Sequence, residues 1–579
     1  MYVDSGGRRV RLRGALMLAL ALSATVARAA TFDPIEASID DLQEAYKKRK
    51  VTAVSVVKRY LGRIDKQDVK GAKINSVIVN PNALAEAAEA DRLRKAGIVL
   101  GPLHGVPFIV KDSYAVKGMP TTNGIAAWKA LVATDDAVNV KLLRQAGAII
   151  IGKANMSTFA FSYDGISEAW GPVKNPFNPN RTPGGSSSGT GAAVGANFAM
   201  IGMGGETGGS IRIPSDYNGL VGLKPTLGLI PANGCVPLLP SRDVIGPIAK
   251  SVKDVAYAMD VLAQVDPNDA FQPEFLWEPT PEQPSRRPPT YLAFLDEHAL
   301  EGKVLGVLKP YIGKGTPDLG SALPLHPEVE ALFEEALLDL EDQGATLVEV
   351  TPPAHTLYFV DQALNTPAWA ALGFPPDFVT SFGVTDPGLG NAVYYYDQFF
   401  RHFAPPPYTS LPAAASIMPT DPGFSFFSDL LLAAYAGGNV VPNSAPVAQQ
   451  YYAAIRKLRE QYLDAWMAEM GIDALVAPTS TVPAFKQLDD PGVGQYGDNL
   501  AARFESNTLG LPAITVPMGF YPNGVPGTLQ FIGSFYGEGE IIGYAYDYEQ
   551  ATLHRTKPKL RAARRIRECK GLKNGKCAK

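Results

Sequence analysis

Residues 184–212 read GGSSSGTGAAVGANFAMIGMGGETGGSIR. Two glycine–serine stretches, Gly184–Gly189 and Gly204–Ser210, flank a short apolar run of small residues. Glycine tolerates φ > 0 and lets backbone approach backbone or ligand closely. The stretches therefore read as two loops that turn hydroxyls and bare N–H groups toward a ligand. Outward from them, Phe108–Val110 reads as a strand delivering Lys111 and Asp112, and Ala148–Ile151 as a buried strand followed by Gly152-Lys153. Upstream, Ser38-Ile-Asp-Asp41 forms a capping-box pattern before a helix toward Lys48. A second helix starts near Thr52 with Val54, Val57, Leu61 and Ile64 on one face. Ile74–Val79 reads as strand and Asn82–Ala96 as helix. Downstream, strands at 303–308, 346–350, 474–477 and 510–517 alternate with helices at 327–343 and 446–470. Strands alternating with helices predict an α/β fold, a largely parallel or mixed sheet covered by helices.

The chain has 579 residues, 46% hydrophobic and 19% charged, an ordinary globular composition. No internal linker divides it, so residues 30–558 are taken as one domain. Two stretches within it, 267–300 and 352–445, break the alternation as variable insertions, the second rich in proline and aromatic residues. Its Tyr394–Tyr396, Phe399, Phe400 and Phe403 are suited to capping an apolar pocket or to ordinary packing. Arg8, Arg9, Arg11 and Arg13 precede an apolar run from Ala15 to Val26 and an Ala27-Arg28-Ala29 site, so residues 1–29 read as a signal peptide. That predicts an exported protein, periplasmic or secreted, with no membrane contact after cleavage. A net charge of −4 argues against a nucleic-acid partner. Residues 559–579 read as a solvated basic tail, in which Cys569 and Cys577 are close enough in sequence to pair. No cysteine–histidine cluster has metal-site spacing, and neither metal nor cofactor is expected.

Several motifs compete for the chemistry. Gly185-Ser-Ser-Ser-Gly189 fits G-x-S-x-G, but that elbow must follow a strand, and the preceding Asn175–Pro183 is too proline-rich to be one. Ser55-Val-Val-Lys58 fits S-x-x-K on an amphipathic helix with neither companion motif. Gly147–Lys153 nearly spells a phosphate loop, with Ala154 in place of the metal-binding hydroxyl. What remains is the double loop and a lysine. A serine needs a base to take its proton, and burial can lower a lysine's pKa until its neutral form is available. Lys111 and Lys153 both follow apolar strands, and the residues alone do not choose between them. Either is equally suited to pairing with a carboxylate such as Asp112 or Asp164.

These blocks resemble the amidase signature hydrolases, which implies a single large α/β domain with a central mixed β-sheet covered by helices on both faces. Gly184–Gly189 and Gly204-Gly-Glu-Thr-Gly-Gly-Ser-Ile-Arg-Ile-Pro214 are similar to the two signature blocks, and Gly101–Asp112 to the lysine block. Gly152–Met156, Gly510–Pro512 and Ala551–His554 match in kind and order. The resemblance implies Ser210 as nucleophile, Ser186 as a bridging serine in a cis peptide, and Lys111 as base, with Lys153 structural. The resemblance selects Ser186 over its neighbours, since its separation of 24 residues from Ser210 is the spacing typical of the family. The N–H groups of Thr207, Gly208 and Gly209, with that of Ser210, are implied as the oxyanion hole. Glu206 departs from the aspartate usual in this loop, and a pair with Arg212 beneath it is the expected structural use.

The function so implied is hydrolysis of a small carboxylic amide through an acyl-enzyme, with esters and carbamates as side substrates and a homo-oligomer left open. Two alternatives stand beside it. One is the amidase subunit of a tRNA-dependent amidotransferase, which the leader argues against. The other is a binding protein that keeps the fold without chemistry.

Overall fold

The computed structural model describes residues 32–269, 272, 287–314, 324–361, 365–374, 388–401, 410–413, 422–442, 444–486, 501–560, 572–573 and 576–577. The leader at 1–29, Phe403, most of the basic tail and the Cys569–Cys577 pairing lie outside the described residues. So does most of the stretch 267–290.

Among the described residues, eleven strands form one sheet. In chain order they are β1 (Val77–Val79), β2 (Pro107–Lys111), β3 (Ile149–Ala154), β4 (Ile201–Glu206), β5 (Val221–Lys224) and β6 (Val244–Ala249). Then come β7 (Val304–Leu308), β8 (Thr346–Val350), β9 (Ala474–Pro478), β10 (Ala513–Phe520) and β11 (Pro526–Ile532). They lie in the order β1-β3-β2-β4-β6-β5-β10-β11-β9-β7-β8. β2 runs parallel to β3 and β4, and β7 parallel to β8 and β9, while the β4-β6-β5-β10-β11-β9 centre is antiparallel. The sheet is therefore mixed and flanked by helices, one of the two forms the alternation allowed and the one the resemblance implied. Every residue of β2, β3, β6, β9 and β11 is buried, the mark of strands covered on both faces.

Local chemistry sets the element limits. Ser38 and Asp41 close the expected capping box on α1 (Ile39–Lys47), and Thr52 and Ser55 close another on α2 (Ala53–Arg63). Ser55 is thus part of an N-terminal cap, which disposes of the S-x-x-K match. β1 is shorter than its apolar pattern because the Asp68 carboxylate takes the Ser76 and Val77 N–H groups at 2.8 and 3.0 Å.

The stretch 184–212 holds the largest correction. Its middle is not a loop-to-loop spacer but a buried helix, α3 (Ser188–Gly195), followed by the sheet strand β4. Its small residues hide both periods, since a helix buried all round shows no amphipathic stripe. They also permit the packing: a Cβ on Gly202 would sit 2.5 Å from Thr190 Cγ2, and one on Gly189 would sit 2.4 Å from the Asn155 carbonyl oxygen.

The described part of 352–445 is largely helical, with α4 (Gly388–Arg401) and α5 (Pro422–Ala436). Tyr396, Phe399 and Phe400 are packing residues. Phe399 stacks on Trp128 at 6.3 Å, Phe400 meets its edge at 5.3 Å, and Tyr396 stacks on Phe159 at 5.8 Å. Just before the tail, Arg555 is fixed rather than solvated, since Glu36 binds its Nε at 2.9 Å and the Gly219 carbonyl its Nη1 at 2.6 Å.

Candidate active site

The parallel pairing of β2 with β3 and β4 brings Lys111, Lys153 and the end of β4 together. The two lysines have different neighbours. Lys153 forms a buried ion pair with Asp112 Oδ1 at 2.7 Å and donates to the Pro120 carbonyl at 2.7 Å and Thr121 Oγ1 at 3.2 Å. Burial lowers this amine's pKa, the Asp112 carboxylate opposes that shift, and the three contacts leave the amine no direction toward a serine. Asp164 is not its partner; that side chain accepts from Ser162 Oγ instead. Lys111 donates to Ser186 Oγ at 2.8 Å and to the Gly205 carbonyl at 3.0 Å. Burial pushes the Lys111 amine down to about 7, with Asp243 and Glu206 opposing the shift from a distance. Of the two post-strand lysines, Lys111 is the one set beside a serine hydroxyl.

Three serines follow Gly185, and each hydroxyl has a separate task. Ser187 Oγ donates to the Gly205 carbonyl at 3.3 Å and accepts from the Gly205 N–H at 3.2 Å, tying the first loop to β4. Ser188 Oγ shares a 3.2 Å bond with Ser157 Oγ. Ser186 alone of the three meets Lys111, and its peptide with Gly185 is cis. The G-x-S-x-G reading loses its nucleophile here, because Ser187 is buried in a structural bond. Its late histidine, His554, is bonded to Asp339 at 3.1 Å.

The second loop starts where β4 ends. Glu206 receives the Ile211 and Arg212 N–H groups at 3.0 and 3.1 Å, Arg212 Nη2 at 2.7 Å, and Asn507 Nδ2 at 3.0 Å. The expected Glu206–Arg212 pair is present, and both side chains are fully buried. Burial raises the Glu206 carboxyl, and the Arg212 charge and these hydrogen bonds outweigh it, leaving it below the usual range. Arg212 is further satisfied by Gln530 Oε1 at 2.6 Å and Asn507 Oδ1 at 2.8 Å. The longer side chain thus reaches around the loop to cap the short helix Arg212–Asp216. We expect Glu206→Ala to destabilise the fold by roughly 3–5 kcal/mol, because it leaves a buried guanidinium without its carboxylate. Urea unfolding of the variant against the parent measures this.

Between Glu206 and Ile211, Thr207 Oγ1 donates to Asp243, and Gly209 has φ 128°, a conformation that favours glycine. Among the described residues the N–H groups of Thr207, Gly208, Gly209 and Ser210 donate to no protein acceptor. Ser210 is 5% exposed, and its carbonyl accepts from the Ser187 N–H at 3.3 Å, which docks the second loop on the first. No Ser186–Ser210 hydroxyl bond is made among the described residues. Asn507, Gln530, Asp243, Tyr163 and Arg503 also border the loop, and the sequence reading did not single them out. Only Asn507 carried a signal, lying three positions before the Gly510-Leu-Pro512 block.

A family model described as Amidase matches residues 55–374 and 422–542. The chain belongs to the amidase signature family. It is therefore an enzyme of amide C–N bonds. The chain is 34% identical to the A subunit of a glutamyl-tRNA(Gln) amidotransferase from Symbiobacterium thermophilum, over 87% of this chain and 94% of that one. Its fold is similar to that of a peptide amidase from Stenotrophomonas maltophilia, with TM-score 0.72 and 31% identity over 91% of this chain and 99% of that one. The A subunit of the glutamyl-tRNA(Gln) amidotransferase from Thermotoga maritima gives TM-score 0.62 and 25% identity, over 92% and 99%. This amidase thus resembles both a peptide amidase and the amidotransferase subunit considered as an alternative.

Proposed function

We propose that this amidase cleaves a carboxylic amide through an acyl-enzyme on Ser210. The 2.8 Å contact of Lys111 Nζ with Ser186 Oγ carries the reading. A buried amine titrating near neutrality accepts the Ser186 proton as Ser186 takes that of Ser210, and Ser210 Oγ attacks the carbonyl carbon. The N–H groups of Thr207, Gly208, Gly209 and Ser210 receive the oxyanion. The proton returns through Ser186 to the leaving amine, and water repeats the path to release the acid. The reading needs no metal or cofactor.

The fate of the ammonia or amine separates two versions. The closer structural likeness to the peptide amidase favours free hydrolysis of small amides or peptide amides. The curated relatives favour the other version, an amidotransferase subunit, and they are the broader support. In that case the expectation of no nucleic-acid partner fails. Our reading keeps the 1–29 leader and export, on the strength of its arginines, its apolar run and its Ala-x-Ala site. Ammonia release from glutamine, carboxamides, anilides and peptide amides by the purified chain alone separates the versions. Turnover of a panel amide supports hydrolysis. Activity confined to glutamine, and only with a co-purifying subunit, supports the amidotransferase version. A mature N-terminus at Met1 would remove the export proposal.

A further inference from the structure

Tyr163 lies where the two glycine loops meet. On the first loop, a Cβ at Gly185 would stand 3.0 Å from Tyr163 Cα. On the second, the Tyr163 hydroxyl donates to the Gly208 carbonyl. The same hydroxyl accepts from Arg503 Nη2 at 2.6 Å. A phenol has one proton to give, so the bond from Arg503 leaves that proton directed at Gly208. Both residues are themselves held in place. Tyr163 packs against a small cluster of Ile213, Tyr217, Ala484 and Val525, and its carbonyl accepts from Thr182 Oγ1 at 2.8 Å. Arg503 adjoins the π-helical turn Phe504–Thr508, the same turn that sends Asn507 to Glu206.

A trans peptide points its C=O and the following N–H in opposite directions. Holding the Gly208 carbonyl against Tyr163 therefore turns the Gly209 N–H to the other side of the loop. Neither glycine has a side chain to fix that plane, and Gly209 at φ 128° has the freedom to let it rotate. We propose that Tyr163, held by Arg503, is a positioning residue that aims the Gly209 N–H at the oxyanion. The inference rests on the Ser210 acyl-enzyme reading. It adds a reason for the donor's direction that the loop alone does not contain.

Inactivation by an alkyl fluorophosphonate tests it without knowledge of the natural substrate. Ser210 Oγ attacks phosphorus, fluoride leaves, and the phosphoryl oxygen takes the place of the oxyanion. Tyr163→Phe is expected to lower the saturating inactivation rate by about 10- to 100-fold, since one donor is misdirected rather than removed. The half-saturating probe concentration and the melting temperature should hold. Arg503→Met should behave like Tyr163→Phe, and Arg503→Lys, which keeps a donor, should recover part of the rate. A Tyr163→Phe protein inactivated at the parental rate overturns the inference and leaves the Ser210 reading intact. So does one changed only in half-saturation. Labelling of Ser210→Ala as fast as the parent overturns both.

Discussion

Ser210→Ala is expected to lower amide turnover by about 10⁴-fold or more, the scale of removing the nucleophile from a serine hydrolase. The substitution deletes one oxygen and leaves the Lys111–Ser186 contact, the Glu206–Arg212 pair and the loop N–H groups in place. Because Ser210 Oγ makes no hydrogen bond among the described residues, melting should stay close to that of the parent. Ser187→Ala provides the contrast. Its hydroxyl bonds the Gly205 carbonyl and N–H, and Lys111 still holds the carbonyl, so its loss should cost about 1–3 kcal/mol for the buried N–H left unpaired and leave the Lys111–Ser186 contact in place. Ammonia release and thermal unfolding measured on both variants separate chemistry from folding. A Ser210→Ala enzyme with parental turnover would exclude Ser210 as the nucleophile.

The readable parts of this sequence were those where one local rule acts alone. Capping boxes at Ser38 and Thr52, apolar runs before Lys111 and Lys153, and the alternation of strand and helix each gave an element and together the α/β class. The stretch 188–206 was misread because packing overrides propensity there. Its glycines and alanines are poor evidence for any element, yet they let a helix lie against the sheet at distances no Cβ would allow. The choice between two post-strand lysines was not legible either, since it depends on which carboxylate is nearby in space. Asp112, adjacent to Lys111 in sequence, turns to Lys153 instead. The supports of the second loop were the least visible part. Tyr163, Asp243, Arg503, Asn507 and Gln530 come from separate stretches of the chain, and nothing in a single stretch announces their convergence. The family resemblance supplied the candidate site residues; the fold explains how their neighbours hold them.

The pH profile offers the sharpest test of Lys111. Burial pushes this amine down to about 7, and only its neutral form can take the proton from Ser186. The value of kcat/KM should therefore rise with pH, with an acid limb near 7, and level off above it. Lys111→Ala and Lys111→Arg should both lose most activity, on the order of 10³-fold or more, because alanine has no base and arginine remains charged. Stability should follow the same group with a definite sign. Between the folded value near 7 and an unfolded value of about 10.4, the unfolded chain holds the proton that the folded chain has released. The unfolded state then binds more protons, so stability rises with pH across that window, and below it the buried charge is a penalty. Lys111→Met should flatten this rise. Lys224 is a control within the same protein. It too is buried and pushed down to about 7, but its amine donates to the Pro225 and Leu511 carbonyls rather than to a serine. Lys224→Met should change the pH dependence of unfolding yet leave the acid limb of kcat/KM where it was. An acid limb that moves with Lys224 and not with Lys111 would reassign the base.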